Sequence, residues 1–169
     1  MRKRIIPAES ATGSVPEGDW LDLDSLAEVE ITSEDPNHPI EHALLPGSTS
    51  GWRAGQPGEQ TIRLVFDPPQ RIERIRLHFR ETQIERTQQF VLRWSPDHGQ
   101  TQHEIIRQQW TFSPGGSHEQ IEDIDVALSA VTLLELTIIP DISGGPTPAS
   151  LAQLHLRGSD QAKSLKHKE

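Results

Sequence analysis

Hydrophobic and polar residues alternate along most of the chain. In QTIRLVF, Ile62, Leu64 and Phe66 fall on one face and Arg63 on the other. In RIERIRLHFRE, Ile75, Leu77 and Phe79 point one way, and Arg74, Arg76, His78 and Arg80 the other. In QQFVLRWS, Phe90, Leu92 and Trp94 oppose Gln89 and Arg93. A period of two is the signature of antiparallel strands with one buried and one solvated face. AEVEITS, HEIIRQQWTF, EQIEDIDVAL, VTLLELTII and ASLAQLHLRG are the remaining strand runs. DPPQ, from Asp67 to Gln70, is expected to separate two strands, because two consecutive prolines cannot both sit in a ladder. SPDHG, SPGGS and PDISGGPTP read as turns and loops. HPIEHALL suggests one helical turn. The pattern predicts an all-β, antiparallel sandwich of about eight strands with little helix.

Composition bounds the domain. The 169 residues suffice for one core, yet hydrophobic content is 33% and aromatic content 5%. Residues 1–18 and 159–169 are polar and without period, so they are expected to be tails around one domain at 19–158. There are no cysteines, which excludes a disulfide framework and thiolate metal sites. A formal net charge of −9 argues against nucleic acid as a partner. No apolar run approaches the ~20 residues that cross a bilayer, so no membrane insertion is expected. The basic start MRKRIIPAES lacks the apolar core of a signal peptide, and the expected location is cytoplasmic.

The order of signals resembles a known family. VEITSEDPNHPIEHALLPGSTSGW is similar to the entry of discoidin-like (coagulation-factor type C) domains, with Ala43, Leu44 and Trp52 at matching spacing. TIRLVFDPPQRIERIRLHFR resembles the family's next two strands, FVLRWSPDHGQ its Ser-x-Asp-Gly hairpin, and ASLAQLHLRG its last strand. The resemblance spans Glu28 to Gly158. It implies a galactose-binding-like jelly roll and a binding module in place of an enzyme. Members bind sugars, lipid headgroups or proteins through loops at one end of the sandwich. Many hold a structural calcium, but the family's acidic positions fall here on Leu45, Gly47 and Gln153, with Ser50 at a threonine position. Calcium needs anionic oxygen ligands. The site is expected to be absent or very weak, and no cofactor is expected.

The family layout draws candidate ligand residues from the loops SEDPNHP, WRAGQPGEQ and RETQIERTQ: His38, Arg53, Arg80, Glu81 and Arg86. Arginine can fork onto a carboxylate or sulfate. The plainer reading is solvated loop polarity with local ion pairs. Trp110 is a further candidate, as open to ligand contact as to packing. Trp52 and Trp94 are read as core, and Trp20 as packing against the start of the domain or exposed to a partner. Ile84 is an apolar residue in a polar loop. Arg63, Arg74, Arg76, Arg80 and Arg93 could form a basic stripe, or pair with Glu73, Glu135 or Glu104 across strands. His38 and His42 are four apart, and His98 and His103 lie near a hairpin, but neither pair has a third ligand at zinc spacing.

The leading expectation is a non-catalytic protein-interaction or adaptor domain, since an unexported single domain suits an assembly. The alternative is a carbohydrate-binding module, set lower because the chain has no tyrosine to serve as a sugar platform. An enzyme ranks third: no catalytic spacing stands out.

Overall fold

A computed structural model of the chain describes residues 20–47, 50–113 and 115–158. The two expected tails lie outside the described residues. The elements run α1 (Leu23–Leu26), β1 (Ala27–Ile31), α2 (Glu41–Leu44), β2 (Trp52–Pro57), β3 (Gln60–Arg80), β4 (Arg86–Ser95), β5 (His103–Phe112), β6 (Glu119–Ile139), β7 (Pro148–Leu151) and β8 (Gln153–Arg157). All strand pairs are antiparallel.

Two long strands carry the architecture. β3 and β6 pair along their whole length, and each bends in the middle. The first half of β3 and the second half of β6 lie in a layer ordered β1-β3-β6-β4-β5. The second half of β3 and the first half of β6 lie in the other layer, where β8 joins β3 through Arg74 to His78. The bend falls at Pro68 and Pro69. Both lack an N–H, pairing with β1 ends at Phe66, and the β3–β6 register shifts between Val65 and Gln70. The prolines therefore do not separate two strands, as expected from DPPQ, but turn one strand from sheet to sheet. EQIEDIDVAL and VTLLELTII are likewise one strand. ASLAQLHLRG divides into β7 and β8, and β2 occupies a stretch expected to be loop. The expected number of strands is reached through different divisions.

The alternation places the core as expected. Ile62, Leu64, Phe66, Ile75, Leu77, Phe79, Phe90 and Leu92 are at most 1% exposed. Each such side chain contributes roughly 1.5–3 kcal/mol relative to exposure. Their cross-strand partners Leu134, Leu136, Ile138, Leu154 and Leu156 close the space between the sheets. Trp52 is buried, and its indole N–H donates to the Ser33 carbonyl at 3.2 Å. Trp94 is half-buried at the core margin, with the His103 ring 5.1 Å away.

The hairpin turn at SPDHG forms as its residues dictate. The Asp97 carboxylate accepts the Thr101 amide at 2.8 Å, the Ser95 hydroxyl at 2.7 Å and the Thr101 hydroxyl at 2.7 Å. These hydrogen bonds hold the Asp97 carboxyl down to about 2. His98 and Gly99 take the positive φ that the turn requires.

The arginines do not form one stripe. Arg63 and Arg93 share Glu135 on the outer face of one sheet, at 2.8 and 3.8 Å. Arg74, Arg76 and Arg80 lie on the outer face of the other. There Arg74 meets Asp123 and Asp125, and Arg80 meets Glu119. Glu104 pairs with Arg107 instead. The partners of Arg74 and Arg80 come from β6, whose register against β3 the alternation alone does not define.

Candidate functional site

A cleft of about 160 Å³ opens where the C-terminal end of β3 meets the small β2–β7 sheet. Its walls come from four places. The turn from Asp35 to His38 is clipped to β2 by two backbone bonds, Asp35 N–H to Arg53 O at 2.9 Å and Arg53 N–H to His38 O at 3.1 Å. These bonds set His38 beside Arg53. The pairing of β2 with β7 places Arg53 opposite Ser150 and Trp52 opposite Leu151. Gly51 permits this approach: its φ is +72°, and a Cβ there would lie 2.7 Å from the Leu151 carbonyl oxygen. Arg80 projects from the end of β3, and the segment from Glu81 to Ile84 forms the last wall.

The Glu81–Ile84 segment is held from behind. The Arg86 guanidinium donates to Glu81 Oε1 at 2.8 Å, and the amides of Gln83 and Ile84 donate to Glu81 Oε2 at 3.1 and 3.3 Å. Burial alone would push the Glu81 carboxyl up. The hydrogen bond from Arg86, the two amides and the Arg86 charge outweigh it and hold the group below the usual carboxylate range. Arg86 is buried, lies 4.9 Å over the Phe112 ring, and also donates to the Pro140 carbonyl. A line of polar groups runs on from Arg86 through the buried Gln88 and Gln120 to the half-buried Glu122.

Four of the six candidate residues therefore converge: His38, Arg53, Arg80 and Glu81 all line the cleft. Two do not. Arg86 stands behind the wall, its charge committed to Glu81, because the strand alternation that buries Gln88 and Phe90 also turns Arg86 inward. Trp110 is 36% exposed on the edge strand β5, opposite Gln88, and is not on the cleft lining. Sequence reasoning missed Ser50, Thr82, Thr147, Pro148 and Ser150. The β7 residues join the site through pairing with β2, a contact across about a hundred residues that leaves no local signal. Ile84, 45% exposed, is the apolar side chain of the rim.

The charged groups offer hydrogen-bond donation and positive charge, and the hydroxyls of Ser50, Thr82, Thr147 and Ser150 can donate and accept. Among the described lining residues Glu81 is the one carboxylate, so the paired acids of glycoside hydrolysis are not assembled there. No group of three or more His, Asp or Glu side chains gathers for a metal among the described residues. The family's calcium ligand set does not fit either. Leu45 and Gly47 bring no carboxylate, and the Ser50 hydroxyl is bonded to His42 Nδ1 at 2.7 Å. Two larger hollows carry less polar convergence. One, about 380 Å³, lies beside the Arg63–Glu30 pair; the other, about 330 Å³, is an apolar groove along β1 and α2.

The chain matches no protein-family model and no curated protein. It is similar to solved structures. A family 32 carbohydrate-binding module of C. perfringens NanJ in complex with galactose aligns with TM-score 0.59 and 12% identity, over 82% of this chain and 97% of that one. A module of the same family from a family 31 glycoside hydrolase of Clostridium perfringens aligns with TM-score 0.61 and 16% identity, over 84% and 96%. XRCC1, in its reduced form bound to the DNA polymerase beta catalytic domain, aligns with TM-score 0.59 and 15% identity, over 80% and 97%. At these identities the likeness is one of architecture: the chain has the galactose-binding-like, discoidin-like antiparallel β-sandwich fold.

Proposed function

We propose that this protein is a non-catalytic carbohydrate-binding module whose ligand sits in the cleft between β2, β7 and the end of β3. The observation that carries the reading is the convergence of His38, Arg53 and Arg80 from three separate segments on one concavity. The cleft, about 160 Å³, is well below the ~300 Å³ of a drug-sized pocket, which limits it to a small part of a ligand. That solved neighbours of this fold are carbohydrate-binding modules, one of them holding galactose, supports the same reading. It reverses the order expected from the sequence, where protein interaction ranked above glycan binding. The missing tyrosine weighs less than it did, because the cleft offers polar donors in place of an aromatic platform.

Protein interaction stays as the second reading, on a different surface. The first half of β6 pairs with β3 alone among the described strands and exposes Ile121 at 47% on that edge. An unpaired edge can accept a strand from a partner.

A glycan array probed with the full chain separates the two. Binding to a defined glycan class that His38→Ala and Arg53→Ala each weaken is the expected result. An array without signal, together with retention of a host protein by the β6 edge, would reverse the ranking.

A further inference from the structure

We propose that the cleft selects an anionic sugar residue, a uronate or a sulfated sugar, over a neutral one; this rests on the glycan-binding reading above. The balance of donors and acceptors separates the two ligands. A sugar hydroxyl donates one hydrogen bond and accepts others, so a neutral ring is best met by donors and acceptors together. An anionic group on the ring only accepts.

The charged groups of the cleft are donors. Three of the roughly four acceptor sites of the Glu81 carboxylate are already taken, one by Arg86 and two by backbone amides, which leaves Glu81 little capacity to accept from a sugar hydroxyl. The Glu81 charge is balanced by Arg86 at 2.8 Å. Arg53 is exposed and its side chain has no hydrogen-bond or ion-pair partner among the described residues. Arg80 has one loose partner, Glu119 at 3.6 Å, with both side chains more than 40% exposed, so a ligand anion can compete for it. His38, held beside Arg53, adds a third nitrogen donor. A guanidinium presents two parallel N–H groups, which match a carboxylate or a sulfate and have no counterpart on a neutral hydroxyl.

The apolar side points the same way. Neutral sugars gain much of their affinity by stacking C–H groups on an aromatic face. The cleft's one aromatic, Trp52, is 1% exposed and cannot stack. Ile84 and Pro148 offer limited aliphatic contact. Charge then supplies affinity that the neutral hydroxyls of the lining do not discriminate, set in a chain of net charge −9 that repels the same ligand elsewhere.

Isothermal titration of the full chain with four probes tests this: a galacturonate trimer, its methyl ester, neutral galactotriose and a 6-sulfated galactoside. The trimer or the sulfated probe is expected to bind at least about tenfold more tightly than ester and galactotriose, the difference a charged hydrogen bond supplies. Which of the two anions binds identifies the group. The preference is expected to shrink with added salt. Arg53→Gln is expected to abolish it, Arg53→Lys to retain part of it, and Arg107→Gln on β5 to leave it unchanged, with circular dichroism confirming that each variant is folded. Equal binding of ester or galactotriose would overturn the anion preference and leave the glycan-binding reading standing. Binding of none of the four would overturn both, and unchanged acid binding by Arg53→Gln would overturn the assignment to this cleft.

Discussion

An arginine in a polar loop can face a ligand or carry the loop, and the residues around Arg86 in RETQIERTQ do not separate the two. Its burial does. Arg86 ties the Glu81 carboxylate, the Pro140 carbonyl and the Phe112 face to one point, and the wall of the cleft hangs from Glu81. Removing one partner of a buried ion pair leaves the other uncompensated, which costs far more than the pair contributes when intact. Arg86→Ala is expected to destabilise the fold by about 3 kcal/mol, or about 10 °C in Tm. Arg53→Ala, on an exposed side chain, is expected to stay within about 0.5 kcal/mol of wild type. Thermal melts followed by circular dichroism check both. Equal and small shifts would mean that Arg86 is not the structural member of the pair.

At the scale of elements, local alternation was enough to place the inner faces of β3 and β4 and most of the core, because a half-buried strand writes its period directly into the chain. Pairing was not legible in the same way. Pro68 and Pro69 interrupt a ladder, and an interruption reads alike whether the strand ends or crosses to the other sheet; the register of β6 decides it. The cleft has the same history. His38, Arg53, Arg80 and Glu81 could be named from loop chemistry, but Ser150 arrives through the β2–β7 pair, and Arg86 leaves because β4 begins two residues before the expected strand QQFVLRWS, in the same alternation as Gln88 and Phe90. That β2–β7 pair depends on Gly51. A side chain there would be strained by the positive φ and would press on the Leu151 carbonyl. Gly51→Ala is expected to cost about 1–3 kcal/mol and to weaken ligand binding by opening the cleft. Retained stability and retained binding together would show that the close approach is dispensable.

For the whole molecule, acid is the perturbation that reaches several groups at once. Burial is the main cause that depresses the His78 imidazole; Glu119 opposes it, and Arg80 and Arg76 reinforce it. A base with a depressed folded value binds fewer protons than the unfolded chain below the ordinary histidine range, so stability falls as pH drops through that window. Glu81 and Asp97 are held below their ordinary values, so their contributions are present at neutral pH and are lost as pH falls through the lowered values, near 2 for Asp97. All three act in one direction. Tm is expected to fall from pH 7 to pH 5 in the wild type and to fall less in His78→Gln; identical slopes in the two proteins would remove His78 from the account. Entry of ligands between β2, β7 and the end of β3 is read out residue by residue by amide chemical-shift mapping during titration of the full chain with the galacturonate trimer and galactotriose. Saturable shifts are expected at residues 50–53, 80–84 and 147–152, with the β6 edge around Ile121 unmoved. Saturable shifts confined to the β6 edge or to the groove along β1 would contradict that entry.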